Sequence, residues 1–88
     1  MNRLDPHEIE DVRSIKDDIQ ESYYRLYDKY GIQPNVILLS RDVISKLNQA
    51  SELEMRVDNK VHSTRVMGIL VAEVRGTNVI KAAIILED

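Results

Sequence analysis

The sequence contains no cysteine, tryptophan or phenylalanine, and it has only three glycines and two prolines. The absence of cysteine excludes disulfide scaffolds, cysteine-based zinc sites, iron–sulfur clusters and thiol catalysis. Small secreted domains usually depend on such cross-links, so we expect a cytoplasmic protein. The four tyrosines are the only aromatic residues, and all of them fall between Tyr23 and Tyr30.

Long apolar runs are also absent. No stretch approaches the roughly 20 apolar residues that span a bilayer, and the charged amino terminus lacks the apolar segment of a signal peptide. We therefore expect no membrane partner. The net charge of −3 disfavours binding to nucleic acid, because that affinity comes mainly from neutralised phosphates. The length predicts one domain over residues 1–88.

The clearest feature that is present is a long first helix. Asp5 and Pro6 are typical of a helix start, and Gly31 is typical of the residue after a helix end. These signals predict a helix from about Pro6 to Tyr30. Its length would be about 37 Å at 1.5 Å per residue, whereas a globule of this size has a radius of gyration of only about 12 Å. Such a helix should overhang its own domain or contact another chain.

Apolar residues recur along this helix at steps of three and four. The spacing fits an amphipathic helix lying on its own sheet. It equally fits a heptad seam that pairs with a second chain, with one polar interruption at Lys16. The tyrosines favour a contact surface with one apolar and one wet side, although packing on the sheet competes with that interpretation. The candidate contact residues on the helix are Ile9, Val12, Ile19, Tyr23, Leu26, Tyr27 and Tyr30.

The middle of the chain predicts shorter elements. Residues 36–39 form an apolar run without alternation, typical of a strand buried on both faces. Ser40 looks like the cap of a second, short helix that ends near Gln49. Residues 51–66 fit either two strands joined by a turn or a mobile loop.

The end of the chain predicts a β-hairpin, with residues 69–75 and 79–86 flanking a turn at residues 76–78. We favour the register that leaves Asn78 left-handed and sets Glu73 opposite Lys81, because opposite charges across strands stabilise a pair. The predicted fold class is therefore α+β, with a long N-terminal helix, a short second helix, and a small mainly antiparallel sheet ending in a β-hairpin.

The last strand is apolar on both faces, whereas an antiparallel sheet with one wet face should alternate apolar and polar residues. One face carries Ile80 and Ala82, and the other carries Val79, Ala83 and Ile85 around Lys81. Either one helix covers each face or a second copy of the chain covers one of them. We expect a homo-oligomer, with Val79 and Ile85 as further contact residues.

Residues that could carry chemistry are few. His7 and His62 stand alone, the acidic clusters near the amino terminus are typical of a solvated helix face, and no glycine-rich phosphate loop is present. We therefore expect no enzyme activity, no cofactor and no metal site. The alternative function is a small regulatory module that binds nucleic acid or a small ligand. Its candidate nucleic-acid residues are Arg56, Lys60, His62 and Arg65.

One resemblance bears on function. Residues 31–35 (GIQPN), the run VILLS at 36–40, a short helix and the segment MGILV at 67–71 together resemble small bacteriophage and prophage proteins of uncharacterised role. They are also similar in outline to a strand–helix–strand stretch of phage major capsid proteins. The resemblance implies a phage or prophage origin, with another phage or host protein as a partner and a location in the host cytoplasm or the virion. The leading hypothesis is a non-enzymatic, self-associating interaction protein.

Overall fold

A computed structural model describes residues 6–58 and 61–86, and the side-chain surroundings of residues 11–57 and 62–86. It confirms the predicted α+β fold, with helices packed on a five-stranded sheet in the order β2-β3-β4-β1-β5. The elements are α1 (Pro6–Tyr30), β1 (Val36–Ser40), α2 (Arg41–Gln49), β2 (Leu53–Asp58), β3 (Val61–Val66), β4 (Ile69–Val74) and β5 (Ile80–Ala83).

Helix α1 has the predicted bounds. Gly31 takes a left-handed φ of 68°, and its N–H donates to the carbonyl of Tyr27 at 2.7 Å, which satisfies one of the last helical carbonyls. The predicted cap at Asp5 lies outside the described residues.

Strand β1 is an interior strand of the sheet, next to the edge strand β5. It pairs in parallel with β4 on one edge and antiparallel with β5 on the other. Val36, Ile37, Leu39 and Ser40 are each at most 1% exposed. The apolar run without alternation predicted a strand buried on both faces, but the helices cover only one face, and Leu38 on the other face is half-buried.

The predicted terminal hairpin is wrong, because β1 lies between its two strands. β4 and β5 do not pair with each other, and Glu73 and Ile80 instead flank Leu39 from opposite sides. Lys81, which we expected opposite Glu73, lies opposite Leu38. Residues 75–79 can reach about 16 Å when extended, enough to cross the two strand spacings of about 4.8 Å each that separate β4 from β5. The expected left-handed conformation of Asn78 is present, at φ 59°.

Ser40 and Asp42 hold this crossing loop in place. Ser40 occupies the position before α2, but its side chain makes no bond to the helix amides. Its hydroxyl instead accepts the N–H of Val79 at 2.9 Å and donates to Asp42 Oδ1. Asp42 Oδ2 accepts the N–H of Asn78 at 3.0 Å. The residues predicted as a helix cap thus connect the start of α2 to the start of β5.

Strands β2 and β3 form a hairpin, as one of the two interpretations of residues 51–66 predicts. A two-residue turn with left-handed Met67 (φ 53°) and Gly68 (φ 79°) then connects β3 to β4. The β3–β4 ladder covers only two residue pairs, Arg65 with Leu70 and Val66 with Ile69. The rest of the β2–β3 hairpin therefore runs past the sheet, and α1 and α2 make at most marginal contact with it.

Both helices pack on the same face of the sheet. Ile15 and Ile19 of α1 and Val43 and Leu47 of α2 share one buried cluster with Ile37 of β1. The strand residues that join this cluster, as buried or partly buried members, are Leu39, Leu53, Val66, Ile69, Val71, Ile80 and Ala82. They all lie on one face by the pairing registers and by the alternation of side chains along a strand.

Leu38 and Leu39 provide a matched test of this arrangement, because they are the same residue on opposite faces of β1. Leu39 is fully buried against the helices, whereas Leu38 is half-buried. We expect Leu39→Ala to lower the free energy of unfolding by about 3–4 kcal/mol, and Leu38→Ala by about 1 kcal/mol, because less of its surface leaves water on folding. Urea unfolding at low micromolar protein measures both, and equal losses would contradict the one-sided core.

The Ser40–Asp42 connection predicts a pH dependence. Hydrogen bonds from the Ser40 hydroxyl and from the amide of Asn78 hold the pKa of Asp42 below its ordinary value, and they outweigh a smaller effect of burial that raises it. The carboxylate therefore stabilises the fold above the unfolded pKa of about 3.9, and this contribution disappears as the pH falls through the lower folded pKa.

We expect Asp42→Asn to be less stable than the wild type at neutral pH and the difference to shrink as the pH falls below about 4. Urea midpoints at several pH values measure the difference. Asp28→Asn, which removes an exposed carboxylate from α1, is the control. A difference that does not depend on pH would contradict the assigned role of Asp42.

Candidate self-association surface

The face of the sheet opposite the helices is apolar at its centre. The registers place Leu38 beside Ala72 of β4 and beside Lys81 of β5. We call this surface the open face, and its apolar members are Val36, Leu38, Leu70, Ala72, Val74 and Ala83. Alternation along the strands puts none of these side chains on the helix side.

In the part of the chain that the structure describes, no helix and no second sheet lies over the open face. Val36 is nonetheless only 1% exposed. Leu38, Leu70, Ala72, Val74 and Ala83 remain half-buried. An apolar sheet face without a covering layer is the candidate contact surface of this chain.

Charged residues surround the open face. Lys81 is exposed on β5, and on the other side Glu54 of β2 lies opposite Arg65 of β3. The Arg65 guanidinium donates to the carbonyl of Gly68 at 3.3 Å. An apolar centre with a polar rim is the usual anatomy of a protein–protein interface.

The helix residues that we predicted as contacts differ in how far their side chains are exposed. Val12 and Ile19 are 8% and 1% exposed in the core of their own chain, so their side chains are not available to a partner, and this part of the apolar spacing reflects packing on the sheet. Tyr23 and Leu26 are half-buried at the edge of that core. The side chain of Ile9 lies outside the described residues.

The carboxy-terminal end of α1 does present exposed aromatic residues. Tyr24, Tyr27 and Tyr30 are 61%, 42% and 55% exposed, and Tyr23 and Tyr24 contact edge to face at a centroid distance of 5.4 Å. Tyr30 also lines an apolar groove of about 400 Å³, whose other apolar lining residues are Leu26, Ile32, Ala82, Ala83, Ile84 and Leu86. Ala83 belongs to both this groove and the open face, so the two surfaces are continuous.

The two contact residues predicted near the carboxyl terminus lie beside the open face. Val79 is half-buried and Ile85 is 55% exposed. The side-chain amide of Asn35 donates to the carbonyl of Ile85 and accepts its N–H, both at 2.8 Å. This pair of bonds continues the β1–β5 pairing past Ala83, so Ile85 follows Lys81 and Ala83 along the strand direction.

The candidate nucleic-acid residues do not assemble into one basic surface. Arg56 donates to Glu54 at 3.3 Å on its own strand. His62 pairs with Val57, on the side of the hairpin opposite Arg56 and Arg65. Lys60 lies outside the described residues. No feature of this geometry favours the nucleic-acid alternative.

Chemistry-bearing groups are also dispersed. Among the described residues, no three His, Cys, Asp or Glu side chains come together as a metal site, and no helix is both long and apolar enough to cross a membrane. A groove of about 490 Å³ lies between α1 and β5. Its charged lining residues are Asp18, Glu21, Arg25, Lys29 and Lys81, and Arg25 is paired with Glu21 at 2.7 Å.

Comparison with models of protein families, with curated proteins and with solved structures finds no match for this chain. The resemblance to phage proteins accordingly stays a prediction. The geometry of the chain itself is what supports a function.

Sequence reasoning identified the excess of apolar strand surface but missed the open face as a unit. Leu38, Leu70 and Ala72 belong to strands that are not neighbours in the sequence, and only the β4–β1–β5 order brings them together. The sequence feature that could have revealed it is the apolar character of β4, which includes positions that would face water if β4 belonged to a two-stranded hairpin.

Proposed function

We propose that this protein is a non-enzymatic, self-associating interaction protein and that the open face is its principal contact. The observation that carries the proposal is the placement of both helices on one face of a sheet whose other face is apolar. A monomer leaves Leu38, Leu70 and Ala72 in contact with water. A second copy supplies a surface of the same shape and character, as twofold association requires.

The dimensions of the open face set the expected strength of association. Three strands at about 4.8 Å spacing and about 3.3 Å per residue give a footprint of about 14 by 17 Å. Two such faces can pack about 10 Å apart, as in a β-sandwich. Stable complexes bury about 800 Å² per partner, which is more than this footprint of about 240 Å² supplies. The open face alone therefore supports only a weak contact, and neighbouring surfaces must add to it in any stable assembly.

Lys81 is compatible with this contact. Its side chain is exposed at the edge strand, and a lysine can bury its aliphatic stem while its ammonium group stays in water.

The resemblance of residues 31–71 to phage proteins leads us to propose a phage or prophage setting, as a structural or accessory protein. In that setting a further phage or host protein is a second partner.

The proposal predicts that the wild type has a mass above that of one chain at tens of micromolar. Ala72→Glu should lower that mass, because it puts a charge in the centre of the open face and removes no apolar side chain larger than a methyl group. Gln20→Glu, the same charge change at an exposed position on α1, is the matched control. Size-exclusion chromatography with light scattering measures the masses, and circular dichroism checks the fold of each variant.

A wild type that elutes as a clean monomer at tens of micromolar would contradict self-association. Equal masses for Ala72→Glu and Gln20→Glu in a self-associating protein would remove the open face from the contact.

A further inference from the structure

The two edges of the sheet differ in their protection. At the β5 edge, the N–H of Ala82 donates to the Ser22 hydroxyl of α1 at 2.8 Å, so the helix satisfies one outward-facing backbone group there. At the opposite edge, β2 pairs only with β3 among the described elements. An edge strand with free N–H and C=O groups is a ready template for another strand.

Strand β2 lacks several of the features that usually block such pairing. Its sequence, LEMRVD, contains no proline, glycine or lysine. Met55 and Val57 are 69% and 59% exposed on one side of the strand. Proteins normally protect a long edge with proline, a bulge or charged side chains, above all lysine. β2 has only the charges of Glu54, Arg56 and Asp58, and its exposed apolar side chains favour a strand that is covered in the assembled state.

We propose that β2 pairs antiparallel with β2 of a second copy, with Met55 on the twofold axis. This inference rests on the proposed self-association and adds a second contact to it, at the sheet edge rather than on the open face. The charged residues of β2 favour a second copy as the partner, and they favour one register of the pairing.

The register follows from Glu54 and Arg56, the exposed charged residues of β2 that share one side of the strand. With Met55 opposite Met55 of the partner subunit, Glu54 lies opposite Arg56 of the partner subunit, and the apolar side sets Val57 against Leu53 of the partner subunit. The two neighbouring registers keep the same residues on each side of the strand. One puts Arg56 opposite Arg56 of the partner subunit, and the other puts Glu54 opposite Glu54 of the partner subunit. Like charges directly opposite destabilise a pair, whereas opposite charges stabilise it.

Glu54 and Arg56 already form an ion pair in the single chain. Within one chain Arg56 donates to Glu54 at 3.3 Å, and both side chains are more than half exposed. Pairing across a twofold axis joins two such ion pairs into a group of four alternating charges. The exposed position of each pair means that it is solvated in the monomer and contributes little there.

The hairpin itself gains from the pairing. Beyond Arg65 and Val66, no third strand pairs with it among the described residues, and an isolated two-stranded hairpin is only marginally stable in water. Pairing two β2 strands makes a four-stranded ribbon in which Met55 contacts Met55 of the partner subunit and Val57 contacts Leu53 of the partner subunit. The contact thereby orders the part of each hairpin that extends past its own sheet.

Cysteine cross-linking tests the register directly, because the natural chain contains no cysteine. On the twofold axis the two Cα atoms of residue 55 lie about 4.5–5.5 Å apart, within the 4.4–6.8 Å of a disulfide. The Cα atoms of residue 57 lie about 13 Å apart at about 3.3 Å per residue.

We expect Met55→Cys, oxidised with copper phenanthroline, to form a covalent dimer at least tenfold faster than Val57→Cys. Rates that are equal, or that favour Val57→Cys, would overturn the proposed register. The Val57→Cys variant controls for random collision, since both positions are exposed on the same strand.

A charge-exchange experiment tests the partner. Glu54→Lys and Arg56→Glu each place like charges opposite each other in a homodimer, whereas a mixture of the two variants restores opposite charges at all four positions. We expect each variant alone to have a lower mass than the wild type and the mixture to recover it. Because no single chain in the mixture regains its own Glu54–Arg56 pair, recovery reports contact between chains.

The outcomes separate this inference from the proposed function. Self-association that depends on Ala72 but is unchanged by Glu54→Lys would leave the open face in place and overturn edge pairing. Binding of β2 to a strand of another protein would appear as mixtures that fail to recover mass and as slow cross-linking of Met55→Cys, which also overturns pairing between copies.

Discussion

The whole architecture depends on the burial of β1. This strand is apolar at four consecutive positions, and its Ile37 and Leu39 are fully buried. A strand of this kind is stable only when strands flank both of its edges and a layer covers at least one face. β4 and β5 supply the edges, and α1 and α2 supply the layer. Because both helices lie on one side of the sheet, they bury Ile37 and Leu39 and leave Leu38 half-buried on the other side.

The same constraint explains the link between β4 and β5. Once β1 lies between them, their connection must cross the end of β1, where backbone groups would otherwise lack partners. Ser40 and Asp42 stand at that end and bond the loop at Asn78 and Val79. The position of β5 therefore depends on both the packing of the core and the hydrogen bonds that hold the crossing loop. The composition of the open face follows from it, because β5 contributes Ala83 and Lys81 to that surface.

Much of the local structure could be predicted from the sequence, because its signals are local. The bounds of α1 follow from Pro6 and Gly31, and alternation predicted β2 and β3 as one of two interpretations of residues 51–66. The strand order could not be predicted, because Asn78 and Gly76 signal a turn whether or not a third strand lies between its arms. Ser40 illustrates the same limit: a serine before a helix is typical of a cap, and only the tertiary structure shows that its hydroxyl bonds Val79 instead. The spacing of Val12 and Ile19 predicted an apolar helix face but not which surface it meets.

The hydrogen bond from Ala82 to Ser22 has a consequence for how large a continuous sheet can become. In the described part of each chain, one edge of the five-stranded sheet lies against its own helix, and that helix bonds one of the backbone groups of the edge. If the other edge pairs with a copy, the joined sheet ends on both sides in a strand that contacts α1. This arrangement disfavours further strand addition and the open-ended stacking of strands that produces fibrils.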